Sequence, residues 1–344
     1  MSRTTGPGAG LRLLGSVMDA YLKVFVSGPA APVLSRSNPV RRGGFDLDMV
    51  VGARTIEADG VVSLSLYAAD RRPLPSWRPG AHLDVFLPSG KQRQYSLCGD
   101  PADRYRYRIA VRRIPDGSGS AEIHDALWVG DRLRIRGPRN AFTLVDAPSY
   151  LFLAGGIGIT PILPMALAAG SRGRLIYTGR SLASMPFRDV VPDALVLADE
   201  EHGPPNVAEL IATAAPGAAV YVCGPPPMLA AAQACMFELN PTGSLHTERF
   251  SALPVVGGRE FGLTLNRSGR TVRVGADETA LSAVRRQLPD VAYSCQQGFC
   301  GSCEVGVLAG AIDHRDRLLS ESARADRMLL CVSRAAGDEL VLDL

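Results

Sequence analysis

The sequence predicts a multidomain chain: an antiparallel β-barrel, then an α/β domain with a parallel sheet, then a small α+β domain. Three observations carry that prediction. From residue 45 onward, short runs of alternating apolar residues are separated by Gly and Pro turns. At Tyr150 the runs become continuous and apolar, each followed by a glycine turn or a helical stretch, as buried parallel strands require. Beyond Pro254 and the Gly257–Gly258 pair, a hairpin pattern leads into a cysteine-rich loop. The expected division is an extension over 1–44, the barrel over 45–147, the α/β domain over 148–250, a linker over 251–258 and the last domain over 259–344.

At 344 residues the chain can bury two or three cores. A net charge of +3 implies neither a nucleic-acid nor a membrane partner. The two lysines, Lys23 and Lys91, stand against an excess of arginine, which reflects composition rather than a phosphate-binding surface. The apolar stretch from Leu11 to Phe25 is interrupted by Arg12, Asp19 and Lys23, and is too short and too charged for a membrane span or a signal peptide.

In the barrel, Leu47–Val51 and Val61–Tyr67 flank Ala58-Asp59-Gly60, a hairpin with an Asp-Gly turn. Further strands are expected at His82–Leu87, Arg93–Leu97, Tyr107–Arg112 and Asp131–Arg136. The strand Arg93-Gln-Tyr-Ser-Leu carries a guanidinium fork suited to a phosphate, an aromatic face and a short hydroxyl donor. Ile109-Ala110-Val111-Arg112 is followed by Asp116-Gly-Ser-Gly119-Ser120, read as a Gly/Ser loop whose amides and hydroxyls suit an anion.

In the α/β domain, Tyr150–Ala154 runs into Gly155-Gly156-Ile-Gly158-Ile-Thr160-Pro161. Glycines after a strand let a diphosphate approach the backbone, and Pro161 near a helix start leaves amides and the positive dipole end toward it. Strands are expected again at Arg174–Arg180, Ala194–Ala198 and Ala219–Cys223, the last followed by Gly224-Pro-Pro-Pro-Met228. Arg180 ends its strand where open α/β sheets bind ligands.

In the last domain, Cys295, Cys300 and Cys303 have the spacing C-x4-C-x2-C, with Cys331 beyond, which is the plant-type [2Fe–2S] pattern. Two bridged irons need two thiolates each, and Gly298 and Gly301 let the loop turn sharply. The double C-x2-C…C-x2-C pairing usual for zinc is absent. Cys98, Cys223 and Cys235 form no disulfide framework, and a thiolate-bound cluster beside unpaired thiols suits a reducing compartment, so a cytoplasmic protein is expected. His82, His124, His202, His246 and His314 do not pair at metal spacing. Over 259–344, eleven arginines oppose twelve acidic residues, so no strongly acidic docking face is expected.

The R-x-Y-S strand, the G-G-x-G-x-T-P turn, the C-G-P-x-x-M element and His246-Thr-Glu248-Arg-Phe250 occur in the order of the ferredoxin-NADP reductase superfamily. With the C-terminal cysteine loop, residues 45 to 344 resemble its phthalate-dioxygenase-reductase branch. The resemblance implies a β-grasp ferredoxin domain at the C-terminus and an electron-transfer enzyme that takes a hydride from a nicotinamide and passes single electrons through the cluster. It implies FMN in preference to FAD, held by Arg93, Tyr95, Ser96, Ala110, Arg112, Gly119, Ser120 and Phe250. The nicotinamide nucleotide is expected on Gly155, Gly156, Gly158, Thr160, Pro161, Arg180, Cys223, Gly224 and Met228. NADH is expected in preference to NADPH, because a 2′-phosphate would want several cations, and Arg180 is the one placed near it, with Arg188 as another candidate. Ser96, Cys223 and Glu248 are the implied catalytic residues. Cys295 and Cys300 are implied to hold one iron, Cys303 and Cys331 the other. The implied electron acceptor is a Rieske-type oxygenase or demethylase, with a cytochrome P450 as the alternative. A stand-alone ferredoxin module would not need the first two domains, and a direct small-substrate enzyme would need an acid–base constellation that the sequence lacks.

Overall fold

The structure, a computed structural model, describes residues 45–114, 118–251, 253–289, 291–293, 296–299 and 301–344. The expected extension over 1–44, with its apolar stretch from Leu11 to Phe25, lies outside them.

The first sheet has six strands: β1 (Phe45–Ala58), β2 (Val61–Ala68), β3 (Ala81–Phe86), β4 (Gln92–Ser96), β5 (Arg106–Arg112) and β6 (Arg132–Asn140). Their order is β4-β3-β6-β1-β2-β5, and every pairing is antiparallel. A bridge between Leu97 and Ile109 joins the two ends of that order and closes the barrel. Gly60, at φ 67°, makes the expected turn between β1 and β2. Strand β1 runs seven residues past the expected Val51, because the register shift between Val51 and Ala53 breaks the alternation that marks a strand in sequence. The segment expected as a Gly/Ser loop is largely helix: α1 spans Ser118–Ala126, with Gly119 and Ser120 in its first turn. Asp116 and Gly117 lie outside the described residues.

The second sheet is parallel throughout, in the order β11-β10-β7-β8-β9. It comprises β7 (Tyr150–Gly155), β8 (Gly173–Gly179), β9 (Leu195–Ala198), β10 (Ala219–Cys223) and β11 (Ser244–Glu248), connected in part by α2 (Ile159–Ala169), α3 (Val207–Ala212) and α4 (Pro226–Leu239). Every residue of β7 and β10 is buried, as their continuous apolar runs require. Successive strands step one way from β7 to β9 and the other way to β10 and β11, so the switch point lies where β7 and β10 end. Phe142, Tyr150, Phe152 and Tyr221 pack in one cluster with Val61, Cys98 and Ala110, so barrel and parallel sheet share an apolar core. The Tyr221 hydroxyl donates to Thr143 O at 2.9 Å and accepts from Val145 N at 2.8 Å, pinning the connector between them.

The last part holds β12 (Phe261–Leu265), β13 (Arg270–Val274), α5 (Ala280–Gln287), β14 (Glu304–Ala309), β15 (Ile312–Asp313), β16 (Arg327–Leu329), β17 (Arg334–Ala335) and β18 (Glu339–Leu342). Strand β12 pairs antiparallel with β13 and parallel with β18, in a mixed sheet ordered β13-β12-β18-β14-β16. The Thr279 hydroxyl accepts from Ser282 N at 3.1 Å and caps α5, whose Leu281 and Val284 face the core beside Leu263 and Val274. Among the described residues, no helix is long and apolar enough to cross a membrane.

Candidate active site and cluster loop

Two crevices hold most of the expected site residues. The first, about 660 Å³, is walled by Arg93, Tyr95 and Ser96 of β4, by Glu248 and Phe250 at and after the end of β11, and by Tyr293 from the last part of the chain. It brings the R-x-Y-S strand and the E-x-F element to one space, although 152 positions separate Ser96 from Glu248 in the numbering.

Arg93 is fixed before any ligand binds. Its Nη1 donates to Gln92 O at 2.8 Å, and a Cβ added at Gly119 would lie 2.6 Å from its Nε. The first turn of α1 therefore sits directly against the guanidinium, and the absent side chain of Gly119 makes that approach possible. The Ser120 hydroxyl, also buried, accepts from Ile114 N at 3.0 Å. A fixed cation beside the positive end of a helix is a setting for a flavin phosphate. Tyr95 presents its ring in the crevice, and burial pushes its hydroxyl pKa upward. Ser96 is buried and pairs in register with His82. These residues fit a flavin: a phosphate fork, an aromatic face and a hydroxyl on one strand edge.

Glu248 closes β11 and stands in register with Cys223, the last residue of β10. Its Oε2 is buried with no hydrogen-bond partner among the described residues. Burial pushes the carboxyl pKa up to about 8. Burial, reinforced by Glu248, pushes the Cys223 thiol well above its ordinary range, which disfavours its thiolate form.

The second crevice, about 580 Å³, opens at the carboxyl ends of β7 and β8 and is lined by Gly155, Gly156, Arg180, Asp199, Met228 and Arg112. Arg112 reaches it from the barrel, its Nη1 3.7 Å from where a Cβ of Gly156 would stand. Expected as a flavin residue, it lines this second crevice and not the first. Ala110 of the same strand is buried in the shared core. The glycines divide their work. Gly156, at φ 54°, supplies the turn, whereas a Cβ at Gly158 would overlap the Cys223 carbonyl oxygen, and one at Gly155 would lie 2.6 Å from Pro225 Cδ and 3.1 Å from Gly224 Cα. Gly155 and Gly158 thus serve the packing of two neighbouring strand ends, in addition to any ligand. Thr160 and Pro161 are buried in the first turn of α2, the hydroxyl donating to Ile157 O at 3.0 Å. Small residues and arginines at strand ends fit a dinucleotide.

Cys303 and Cys331 are buried at the ends of β14 and β16, and Leu330 N donates to Cys303 O at 3.2 Å, tying their segments together. Cys295 and Cys300 lie outside the described residues. Between the cysteines, Gly298 (φ 78°) and Gly301 (φ 74°) adopt the left-handed backbone expected of them. Two buried thiols tied by a backbone bond beside this turning loop fit a thiolate-bound cluster.

The sequence reading missed Gln92, Arg249, Tyr293 and Gln297. Gln92 Nε2 donates to Tyr293 O at 2.6 Å while the Tyr293 hydroxyl donates to Gln92 O at 2.8 Å. Gln297 Nε2 donates to Arg249 O at 2.7 Å, beside Glu248. None of these contacts has a sequence spacing that would reveal it.

The family model of an oxidoreductase FAD-binding domain matches residues 61–144, and that of a 2Fe-2S iron-sulfur cluster binding domain matches residues 263–336. The first match corrects the flavin expectation: FMN gives way to FAD. Both flavins carry a phosphate and the same ring system, so an arginine fork and a tyrosine face could not separate them in the sequence. The chain is 41% identical to phenoxybenzoate dioxygenase subunit beta of Ectopseudomonas oleovorans, across 83% of this chain and 94% of that protein. An intact self-sufficient cytochrome P450 monooxygenase is 39% identical with a TM-score of 0.67, across 92% of this chain but only 44% of that one, so this chain spans less than half its length. The structure of phthalate dioxygenase reductase, described as modular for electron transfer from pyridine nucleotides to [2Fe–2S], is 34% identical with a TM-score of 0.64, across 87% of this chain and 98% of that one. With a flavin barrel, a parallel nucleotide sheet and a cysteine-bearing mixed sheet in the same order, the chain belongs to the phthalate-dioxygenase-reductase family of NAD(P)H-dependent flavin and iron–sulfur oxidoreductases.

Proposed function

We propose that the chain is the reductase component of a multicomponent oxygenase, carrying electrons from NAD(P)H to a Rieske-type oxygenase or demethylase. The observation that supports it best is the 660 Å³ crevice, whose walls come from the flavin strand, from the Glu248 end of the nucleotide sheet and from Tyr293, Gln296, Gln297 and Phe299. When bound, a flavin accepts a hydride and releases electrons singly, which the one-electron cluster requires.

In this reading the chain divides into 45–147 for flavin, 148–250 for nucleotide and 259–344 for the cluster. Arg93 and the first turn of α1 hold the flavin phosphate, Tyr95 lies along the ring and Ser96 donates to it. Gly155, Gly156, Arg112 and Arg180 hold the nucleotide, and Met228, Gly224 and Cys223 shape the nicotinamide side. Glu248 keeps its proton below about pH 8 and so adds no buried anion beside Cys223. Phe250 covers the outer edge of the flavin crevice. Cys295, Cys300, Cys303 and Cys331 hold the cluster, which suits the reducing cytoplasm.

The test is reconstitution. The purified protein, showing flavin and iron–sulfur absorption without haem, should support turnover of a Rieske-type oxygenase with NAD(P)H. A protein that reduces a cytochrome P450 but no Rieske-type component would establish the second reading, which the likeness to the reductase-bearing P450 chain favours.

A further inference from the structure

We infer that Arg139 is a positioning residue that latches the cluster loop onto the flavin barrel, and that this latch sets how fast electrons leave the flavin for the cluster. The inference rests on the proposed flow from flavin to cluster and names the residues that hold its two ends together.

Arg139 lies on β6 and reaches in two directions. Toward the barrel it forms an ion pair with Asp84, whose side chain is wholly buried. Asp84 Oδ1 also accepts from Gln94 Nε2 at 2.9 Å, and Gln94 lines the flavin crevice. Toward the cysteine loop, Arg139 Nη1 donates to Ser302 Oγ at 2.8 Å, and Ser302 immediately precedes Cys303. One chain of contacts thus runs from the crevice wall through Gln94, Asp84 and Arg139 to the residue beside a cluster cysteine.

The chemistry favours a rigid link. A buried carboxylate is retained only when paired, and the planar guanidinium holds it while directing another N–H at the hydroxyl. Lysine would offer a single nitrogen in place of the planar fork that spans the two partners. The transferred species is a single electron: reduced flavin loses it, the oxidised cluster gains it, and no bond forms or breaks. Its rate depends on the distance and orientation that the latch fixes. A second tie, the reciprocal pair Gln92–Tyr293, holds the same face, so cutting the latch should loosen the loop without releasing the whole domain.

The experiment uses the full holoprotein with two variants that cut the link from opposite sides. Ser302→Ala removes the acceptor and leaves Asp84 paired. The double change Asp84→Asn with Arg139→Gln removes the fork and avoids an unpaired buried charge. In stopped flow, flavin reduction by NAD(P)H should stay within about twofold, while flavin-to-cluster transfer falls roughly fivefold or more, since its rate depends on how closely and in what orientation the two centres are held. Amide exchange over residues 301–304 should rise in both variants, with the reduced-cluster EPR spectrum retained. Unchanged transfer and exchange in both would overturn the latch. So would an effect of Ser302→Ala alone, because that traces the change to the loop beside Cys303. Parallel loss of flavin reduction in the variants would also overturn the latch, whereas a wild-type protein whose flavin NAD(P)H does not reduce would count against the proposed function, so the two failures are distinguishable.

Discussion

Cys223 and Glu248 stand side by side in register at the carboxyl ends of β10 and β11, and burial raises both of their pKa values. Burial disfavours the charged form of each, and Glu248 adds to the shift of Cys223. Below about pH 8, Glu248 therefore adds no negative charge to the sheet edge that lines the first crevice, where Arg249 also stands.

That relationship predicts a pH effect with a definite sign. Glu248 has a folded pKa of about 8 against an ordinary 4.5, so its contribution to stability is complete below 4.5 and is lost as pH rises through 8. In urea titrations, wild-type stability should fall between about pH 5 and about pH 8, and the Glu248→Gln variant should show a flatter dependence over that window. The same substitution should remove an inflection near 8 from the pH profile of flavin reduction. Identical profiles for the two proteins would show that the carboxyl ionises normally.

Arg93 and Gly119 predict a linked effect on flavin affinity. Arg93→Ala should weaken flavin retention by about 1.5–3 kcal/mol, the value of a charge-assisted contact, measured as release on dilution. Arg93→Lys should rescue it poorly, because an ammonium cannot reproduce the fork. Gly119→Ala should act in the same direction, since its methyl group would stand 2.6 Å from Arg93 Nε and displace the guanidinium. Full flavin retention by Gly119→Ala would mean that Arg93 does not hold the phosphate.

The fold was legible where physics acts locally. Alternation marked the barrel strands, continuous apolar runs marked β7 and β10, and the Asp-Gly turn fell at Gly60 as expected. It failed where tertiary contacts overrode local pattern. Ser118-Gly-Ser reads as loop, yet the segment becomes α1 because Ile123 is buried in the barrel core and the missing Cβ of Gly119 admits Arg93. Arg112 shares a strand with Ala110, but its long side chain reaches the other crevice. The Gln92–Tyr293 pair spans 201 positions and carries no periodicity or motif.

The packing role of Gly158 predicts a stability effect separate from ligand binding. A methyl group there would overlap a backbone oxygen, Cys223 O, which cannot rotate away as a side chain could. Gly158→Ala should therefore cost ~1–3 kcal/mol even without nucleotide, seen as a lower Tm. Gly337→Ala, where an added Cβ meets nothing within 4 Å, is the matched control and should be nearly neutral. Equal Tm values for the two variants would show that the β7 and β10 turns can part without cost.

The buried thiols predict how cluster and flavin separate. Cys303 and Cys331 sit in the core of the mixed sheet with Leu329, Leu330 and Met328, while Arg93, Tyr95 and Ser96 line the first crevice from β4. Cys331→Ser keeps the side-chain volume nearly constant but replaces a soft thiolate ligand with a hydroxyl that binds iron far less well. The variant should lose the reduced [2Fe–2S] EPR signal and keep its flavin absorption. Because the proposed hydride transfer does not pass through the cysteine thiolates, NAD(P)H-dependent reduction of ferricyanide should persist, whereas electron delivery to the oxygenase component should fall to background. Retention of both the EPR signal and oxygenase turnover would exclude Cys331 as a ligand. Loss of ferricyanide reduction along with the signal would mean that the cluster supports the flavin site itself, through contacts such as Tyr293 to Gln92, and the two centres would then form one folding unit.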